Sequence, residues 1–217
     1  MPTLPDSGFD RVAPFYDRLA RLVFGKALQK AQLALLPHLS PKARVLLIGG
    51  GSGWLLEQLL SAHKHLNIYY LEASPAMLKL AEQRYRQYKQ QHTCKVTFRV
   101  GTEQVLQVQD QFDIIITPFL LDLFPEQRLS QLMKKLNASL VSGGKWFFTD
   151  FSPVRQPPPL WQRLLEKSMY HFFRVLSDVK AQEFPDYTRH FQTLKLQQEH
   201  QYVFYGSMIQ SKVYAKS

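Results

Sequence analysis

Val45-Leu46-Leu47-Ile48-Gly49-Gly50-Gly51-Ser52-Gly53, running on into Trp54-Leu55-Leu56-Glu57-Gln58-Leu59-Leu60, decides the fold. The opening apolar run reads as a strand buried on both faces, and the segment after the glycines reads as a helix. Between them lies a turn nearly stripped of side chains. Glycine has no Cβ and tolerates positive φ, so such a turn lets backbone approach a nucleotide-like ligand closely. Spacing narrows the choice of ligand. A dinucleotide fingerprint, G-x-G-x-x-G, needs a small residue at position 54, where the helix packs on the strand. Trp54 stands there, and the glycines instead fit G-x-G-x-G through Gly49, Gly51 and Gly53.

A second short strand, Ile68-Tyr69-Tyr70-Leu71, ends at Glu72. An acidic residue about 20 positions beyond a glycine turn, at the carboxyl end of the second strand, can accept bonds from both ribose hydroxyls of an adenosine. Its charge disfavours a phosphate on that ribose. Ser74 is placed to cap the next helix and Pro75 to open it.

Working outward, strand and helix alternate, as in a sheet covered on both faces. Strands are expected near 44–49, 67–72, 95–100, 112–117 and 145–150, with helices near 53–62, 75–90, 103–108 and 125–140 between them. A helical stretch at 7–36 precedes them, with Phe9, Val12, Tyr16, Leu19 and Val23 at 3–4 residue spacing. A helix near 160–177 follows the stiff Pro157-Pro158-Pro159 connector. Two last strands are expected near 191–198 and 202–215, reversing around Glu199-His200. The 217 residues suit one α/β domain. With 45% apolar and 20% charged residues, a disordered chain is excluded. No run approaches the ~18 apolar residues of a membrane span. Met1 to Asp6 shows no signal-peptide pattern, so cytoplasm is the expected compartment. A lone Cys94 excludes an internal disulfide and a cysteine-based metal site, and no metal is expected.

These motifs resemble the class I S-adenosylmethionine-dependent methyltransferases, and within them the small-molecule C-methyltransferases of quinone biosynthesis. The glycine turn is similar to their motif I, and Glu72-Ala73-Ser74-Pro75-Ala76-Met77-Leu78 to motif II. Phe112-Asp113-Ile114-Ile115-Ile116-Thr117-Pro118-Phe119-Leu120-Leu121-Asp122 resembles motif IV. Leu140-Val141-Ser142-Gly143-Gly144-Lys145-Trp146-Phe147-Phe148-Thr149-Asp150 resembles the late glycine-gated motif. The resemblance implies one domain over 1–217, a Rossmann-like seven-stranded sheet, mostly parallel with an antiparallel last strand and helices on both faces. Residues 1–40 would form a helical N-terminal cap, and 151–190 an insert that caps the substrate.

The same resemblance implies S-adenosyl-L-methionine as cofactor, with Gly49, Gly51, Gly53, Glu72, Ala73 and Met77 around it and Thr117 and Phe119 at its sulfonium end. The pattern Phe9-Asp10-Arg11-Val12-Ala13-Pro14-Phe15-Tyr16-Asp17 makes Tyr16 either a contact for the methionine carboxylate or one member of the apolar stripe. Three positions depart from the pattern. Leu47 stands where motif I carries an acid, Gly101-Thr102-Glu103 replaces Gly-Asp, and Asp122 replaces a His. Thr102 or Glu103 would then serve the adenine, unless Thr102 only caps a helix.

Methyl transfer asks chiefly for alignment of nucleophile, carbon and sulfur. A base is needed only when the acceptor must lose a proton. Asp122, just past the fourth strand, is the first candidate, with His171 and Tyr170 next; a helix cap is the alternative for Asp122. Aromatic residues in 151–190, among them Trp161, Phe172 and Phe173, favour a flat or apolar small-molecule acceptor. The formal charge of +10 is spread along the chain rather than gathered in a patch, which speaks against nucleic acid as partner. An RNA-modifying enzyme and a non-catalytic S-adenosylmethionine-binding domain are the alternatives. The aminopropyltransferases share the glycine turn but carry a paired-acid motif where this chain has Thr117-Pro118-Phe119.

Overall fold

The computed structural model describes residues 24–88, 93–152 and 185–217. In chain order these form α1 (Ala27–Leu33), β1 (Arg44–Ile48), α2 (Trp54–Ala62), β2 (Asn67–Glu72), α3 (Pro75–Tyr88), β3 (Lys95–Val100) and β4 (Phe112–Pro118). They continue with α4 (Glu126–Ser139), β5 (Leu140–Phe151), α5 (Tyr187–Thr193), β6 (Leu196–Phe204) and β7 (Ile209–Lys216). The seven strands lie in one sheet, ordered β3-β2-β1-β4-β5-β7-β6. Strands β1 to β5 pair in parallel, and β7 runs antiparallel to both of its neighbours.

Alternation within β1 shows why its sequence is apolar throughout. Val45 and Leu47 enter one core with Ile68, Ile114, Ile116 and the inner face of α2, Leu55, Leu56, Leu59 and Leu60. Leu46 and Ile48 enter the opposite core with Ile115, Trp146, Phe148 and the α4 residues Leu129, Leu132, Met133 and Leu136. A strand covered on both faces has no solvent side to make polar. The order reverses direction at β1 and β4, and ligands of open α/β sheets bind outside the carboxyl ends of the strands at that point. Among the described residues, no helix is long and apolar enough to cross a membrane.

Three expectations are corrected. The final reversal is not at Glu199-His200. It lies at Tyr205–Met208, where Tyr205, Gly206 and Ser207 all have positive φ. Glu199 marks only a register shift within the β6–β7 ladder, so one strand runs through it. Residues 191–193 belong to a helix rather than a strand. Asp186 caps that helix by accepting from the Arg189 amide at 3.1 Å, and Phe191 buries its ring against Trp146 and Phe148. The helix expected at 103–108 is a single 3-10 turn, Glu103–Val105. The stripe from Phe9 to Val23 and the helix near 160–177 lie outside the described residues.

Candidate functional site

β1, β2, β4 and β5 deliver the loops of the candidate site. In the glycine turn, Gly51 has φ +61°, and a methyl group built on it would meet no atom within 4 Å, so its Cα faces open space. Gly53 serves a different purpose. Its φ is +89°, and a Cβ there would stand 2.7 Å from the Ala81 Cα, so glycine lets α2 and α3 approach backbone to backbone. Close helix packing, the role of the third glycine in a dinucleotide turn, is thus served one residue earlier, before Trp54.

Glu72 is 8% exposed and sits beneath the turn. Its Oε2 accepts from the Gly51 amide at 2.9 Å, and its Oε1 from the Ser74 amide at 2.9 Å. Ser74 Oγ in turn accepts from the Met77 amide at 3.1 Å and caps α3, as its position before Pro75 suggests. Ala73 is half-buried between these bonds, and Met77 is buried. The Tyr70 hydroxyl donates to the Gly51 carbonyl at 2.9 Å. Both polar groups of Gly51 are therefore bonded to side chains of β2. A phosphate cradle works by aiming backbone N–H groups at an anion. Here the Gly51 N–H points at a carboxylate instead, so the turn suits an uncharged or cationic ligand surface.

Beyond β3, Thr102 and Glu103 are otherwise engaged. Both Glu103 oxygens accept from Arg128, at 2.7 and 2.8 Å, and the carboxylate is 3% exposed. Thr102 Oγ1 accepts from the Gln104 amide at 3.4 Å, a capping geometry. Thr117 is fully buried, and its Oγ1 accepts from the Trp146 indole at 3.0 Å, which sets it in the core rather than at an open edge. Phe119 holds a non-glycine φ of +50° at the end of β4, where its amide donates to Thr149 O at 2.7 Å and its ring packs 5.2 Å from Phe151. Left-handed backbone at a phenylalanine is strained and tends to gather at functional loops. Next to it, Leu120 lies over Gly49 and joins the β4 loop to the glycine turn.

The acid at the end of β4 has a partner that the sequence reading passed over. Asp122 is buried, and its Oδ1 has no ordinary hydrogen-bond donor. Its side chain meets Asp150, the last polar residue of β5, which is fully buried. Asp150 Oδ2 accepts from the amides of Leu121 at 2.8 Å and Asp122 at 3.3 Å, and Oδ1 from the Phe151 amide at 2.9 Å. Burial pushes the Asp122 carboxyl up to about 6. Burial and then the neighbouring Asp122 charge hold Asp150 well above the ordinary carboxylate range. Two acids this close cannot both ionise freely, so the pair keeps a proton at a pH where isolated carboxyls have lost theirs. Asp122 does not cap the following helix: Pro125 occupies that position, with no side-chain cap. The signal in the sequence was an Asp following the aromatic run Trp146-Phe147-Phe148 near the end of a strand, inside a motif notable for its glycines.

Tyr16, Tyr170 and His171 lie outside the described residues. Among the described residues no three His, Cys, Asp or Glu side chains gather as a metal ion would require.

A family profile described as "Methyltransferase domain" matches residues 46–146. A malonyl-[acyl-carrier protein] O-methyltransferase of Paenibacillus sp. (strain JDR-2) is 31% identical over 113 residues, 51% of this chain and 39% of that protein. The protein of the same name from Bacillus cytotoxicus is 28% identical over 152 residues, 69% of this chain and 50% of that one. The chain thus spans half or less of the length of these curated relatives. Among solved structures, magnesium protoporphyrin IX methyltransferase from Synechocystis PCC 6803, with bound S-adenosylhomocysteine, superposes with a TM-score of 0.71 at 16% identity, covering 98% of this chain and 96% of that one. At that identity the likeness is one of fold.

Proposed function

We propose that this chain carries a class I S-adenosylmethionine-dependent methyltransferase domain that transfers the cofactor's methyl group to a small, apolar or aromatic acceptor. The observation that carries the reading is Gly51: its Cα is open to the site, and its amide is committed to Glu72 rather than offered to a phosphate. The residues fit an adenosyl-methionine ligand. Gly49, Gly51 and Gly53 shape the turn against its methionine end. Glu72, whose oxygens each accept from more than one direction, takes the ribose hydroxyls. When bound, the cofactor supplies an already activated methyl carbon.

The chain's own contribution is to align and to handle a proton. The β4 loop, Phe119 to Asp122, borders the turn through Leu120. Its amides at Leu121 and Asp122 are fixed by Asp150, so the loop is held before any ligand arrives. If the acceptor group loses a proton on methylation, Asp122 receives it, with His171 and Tyr170 of the 151–190 insert as the other candidates.

Calorimetric titration with S-adenosylhomocysteine tests the site. Binding is expected, followed by transfer of label from methyl-labelled S-adenosylmethionine to an acceptor drawn from phenols, quinols and acyl thioesters. Failure of both cofactor forms to bind folded protein would overturn the proposal. Methyl transfer to tRNA, persisting at physiological salt, would keep the chemistry and replace the small acceptor with RNA.

A further inference from the structure

Tyr70 belongs to the core by burial and to the glycine turn by contact. It is fully buried in β2, where its ring packs against Phe98 at 5.3 Å. Ring atoms lie 2.6 Å from where a Cβ on Gly50 would stand, so only glycine at position 50 leaves room for tyrosine at 70. Its hydroxyl donates to the Gly51 carbonyl at 2.9 Å, and Glu72 accepts from the amide of the same residue. Two side chains of one strand therefore hold Gly51 from both ends of its backbone. The two bonds differ in what a ligand does to them. Ribose hydroxyls arriving at Glu72 share its carboxylate with the Gly51 amide. The Tyr70 bond is made to the carbonyl by a side chain that is itself fully buried, and a group bound at Glu72 does not compete for it.

We propose that Tyr70 is a positioning residue for the cofactor turn: its bond to the carbonyl keeps Gly51 in place while Glu72 is shared with the ligand. The inference rests on the reading of Gly51 and Glu72 as the S-adenosylmethionine site. Gly51's freedom at positive φ is what makes a tether necessary, because a turn able to hold its ligand is also able to swing away from it.

The test is Tyr70→Phe, which keeps the ring beside Gly50 and removes one oxygen. S-Adenosylhomocysteine dissociation constants are measured for the wild type, Tyr70→Phe, Glu72→Gln and the double variant, with ligand-free unfolding midpoints alongside. Tyr70→Phe is expected to weaken binding by about 3- to 10-fold, the worth of one hydrogen bond. It should raise KM for S-adenosylmethionine with kcat retained, and the two substitutions should be non-additive because they hold one residue. A lower midpoint with unchanged affinity in Tyr70→Phe would overturn the inference and leave Tyr70 a packing residue. If that variant does not fold, Gly50→Ala, which pushes the ring aside, decides in the same way: weaker binding supports the tether, and equal binding overturns it. Absence of binding to the wild type instead overturns the reading of the site on which the inference rests.

Discussion

At the ends of β1 and β2, each polar group of Gly51 has a side-chain partner, whereas at the ends of β4 and β5 two buried carboxyl groups face each other and Asp122 Oδ1 has no ordinary donor. The two regions sit on one sheet edge and are built on opposite principles. The first is a preorganised cradle, in which the Glu72 carboxylate accepts from backbone amides. The second keeps a group in an environment that disfavours its charged form. Fixed geometry serves ligand binding, and a destabilised ionisation serves proton transfer, because a base works best when its pKa lies near the working pH. On the proposed reading the cofactor belongs to the first region and the acceptor's proton to the second.

The largest expected effect falls on the second region. Asp122→Asn removes the ionisable group while offering Asp150 an amide donor of the same shape. Turnover with an identified acceptor should fall by about 10²–10⁴, with S-adenosylhomocysteine affinity nearly unchanged. Stability should move the other way. Because the folded state raises the Asp122 pKa, it binds more protons than the unfolded chain over the interval from roughly 4 up to about 6. Stability from this group is fully present below that window and is lost as pH rises through it. The Asn variant should therefore unfold at a higher temperature than wild type at pH 8, by an amount that shrinks toward pH 4. A variant that keeps full turnover would leave catalysis to alignment alone.

Next is Gly53→Ala, which attacks the cradle through its packing. Alanine at φ +89° would place a methyl 2.7 Å from the Ala81 backbone. The backbone conformation costs about 1–2 kcal/mol and overpacking about 1–3 kcal/mol more. A drop in urea midpoint equivalent to about 2–5 kcal/mol is expected. A drop below 1 kcal/mol would mean that α2 and α3 yield more readily than their backbone contact suggests.

These contrasts explain which parts were legible beforehand. Strands β1, β2 and β4, the second half of β5, and the helices α2, α3 and α4 followed from apolar runs and glycine turns, because strands covered on both faces have no solvent side to make polar. Ser74 was legible as a cap because its bond is local. Asp150 and Tyr70 were not. Each acts on a residue distant in sequence, Asp150 on Leu121 and Asp122, Tyr70 on Gly51, and neither pairing leaves a periodic trace. The Glu103 ion pair was illegible for the same reason: its partner Arg128 lies on α4, and nothing local announces the bond. The final reversal went astray because polar Glu199-His200 imitates a turn while staying within a strand on the sheet's edge, which tolerates polar residues on both faces.

Glu72→Ala sharpens the cradle's side of the comparison with a smaller effect. Loss of hydrogen bonds to a charged group should weaken S-adenosylhomocysteine by about 1.5–3 kcal/mol, read by calorimetry. The variant also strips the Gly51 and Ser74 amides of their acceptor, so Glu72→Gln is the necessary companion. Gln can still accept one of those bonds, and a smaller loss in Gln than in Ala would separate support of the turn from contact with ribose. Equal affinity in both variants would remove Glu72 from the site.

Smallest of all should be Thr102→Ala, and it decides where the cradle ends. The Thr102 hydroxyl caps the turn at Glu103–Val105 at a long 3.4 Å, so its removal should lower stability by only about 0.5–1 kcal/mol. If capping is its whole role, affinities for adenosine and for S-adenosylhomocysteine stay at the wild-type value. If the same hydroxyl also meets the adenine, both ligands weaken together, because they share that ring, while KM for the acceptor does not change. Thr102→Ser separates the cases further, since Ser caps at least as well and keeps an acceptor at the same position. Weakened binding in Ala, restored in Ser, would extend the cradle to β3. Unchanged binding in both would confine it to β1 and β2, with the Glu103–Arg128 pair closing its border as a purely structural bond.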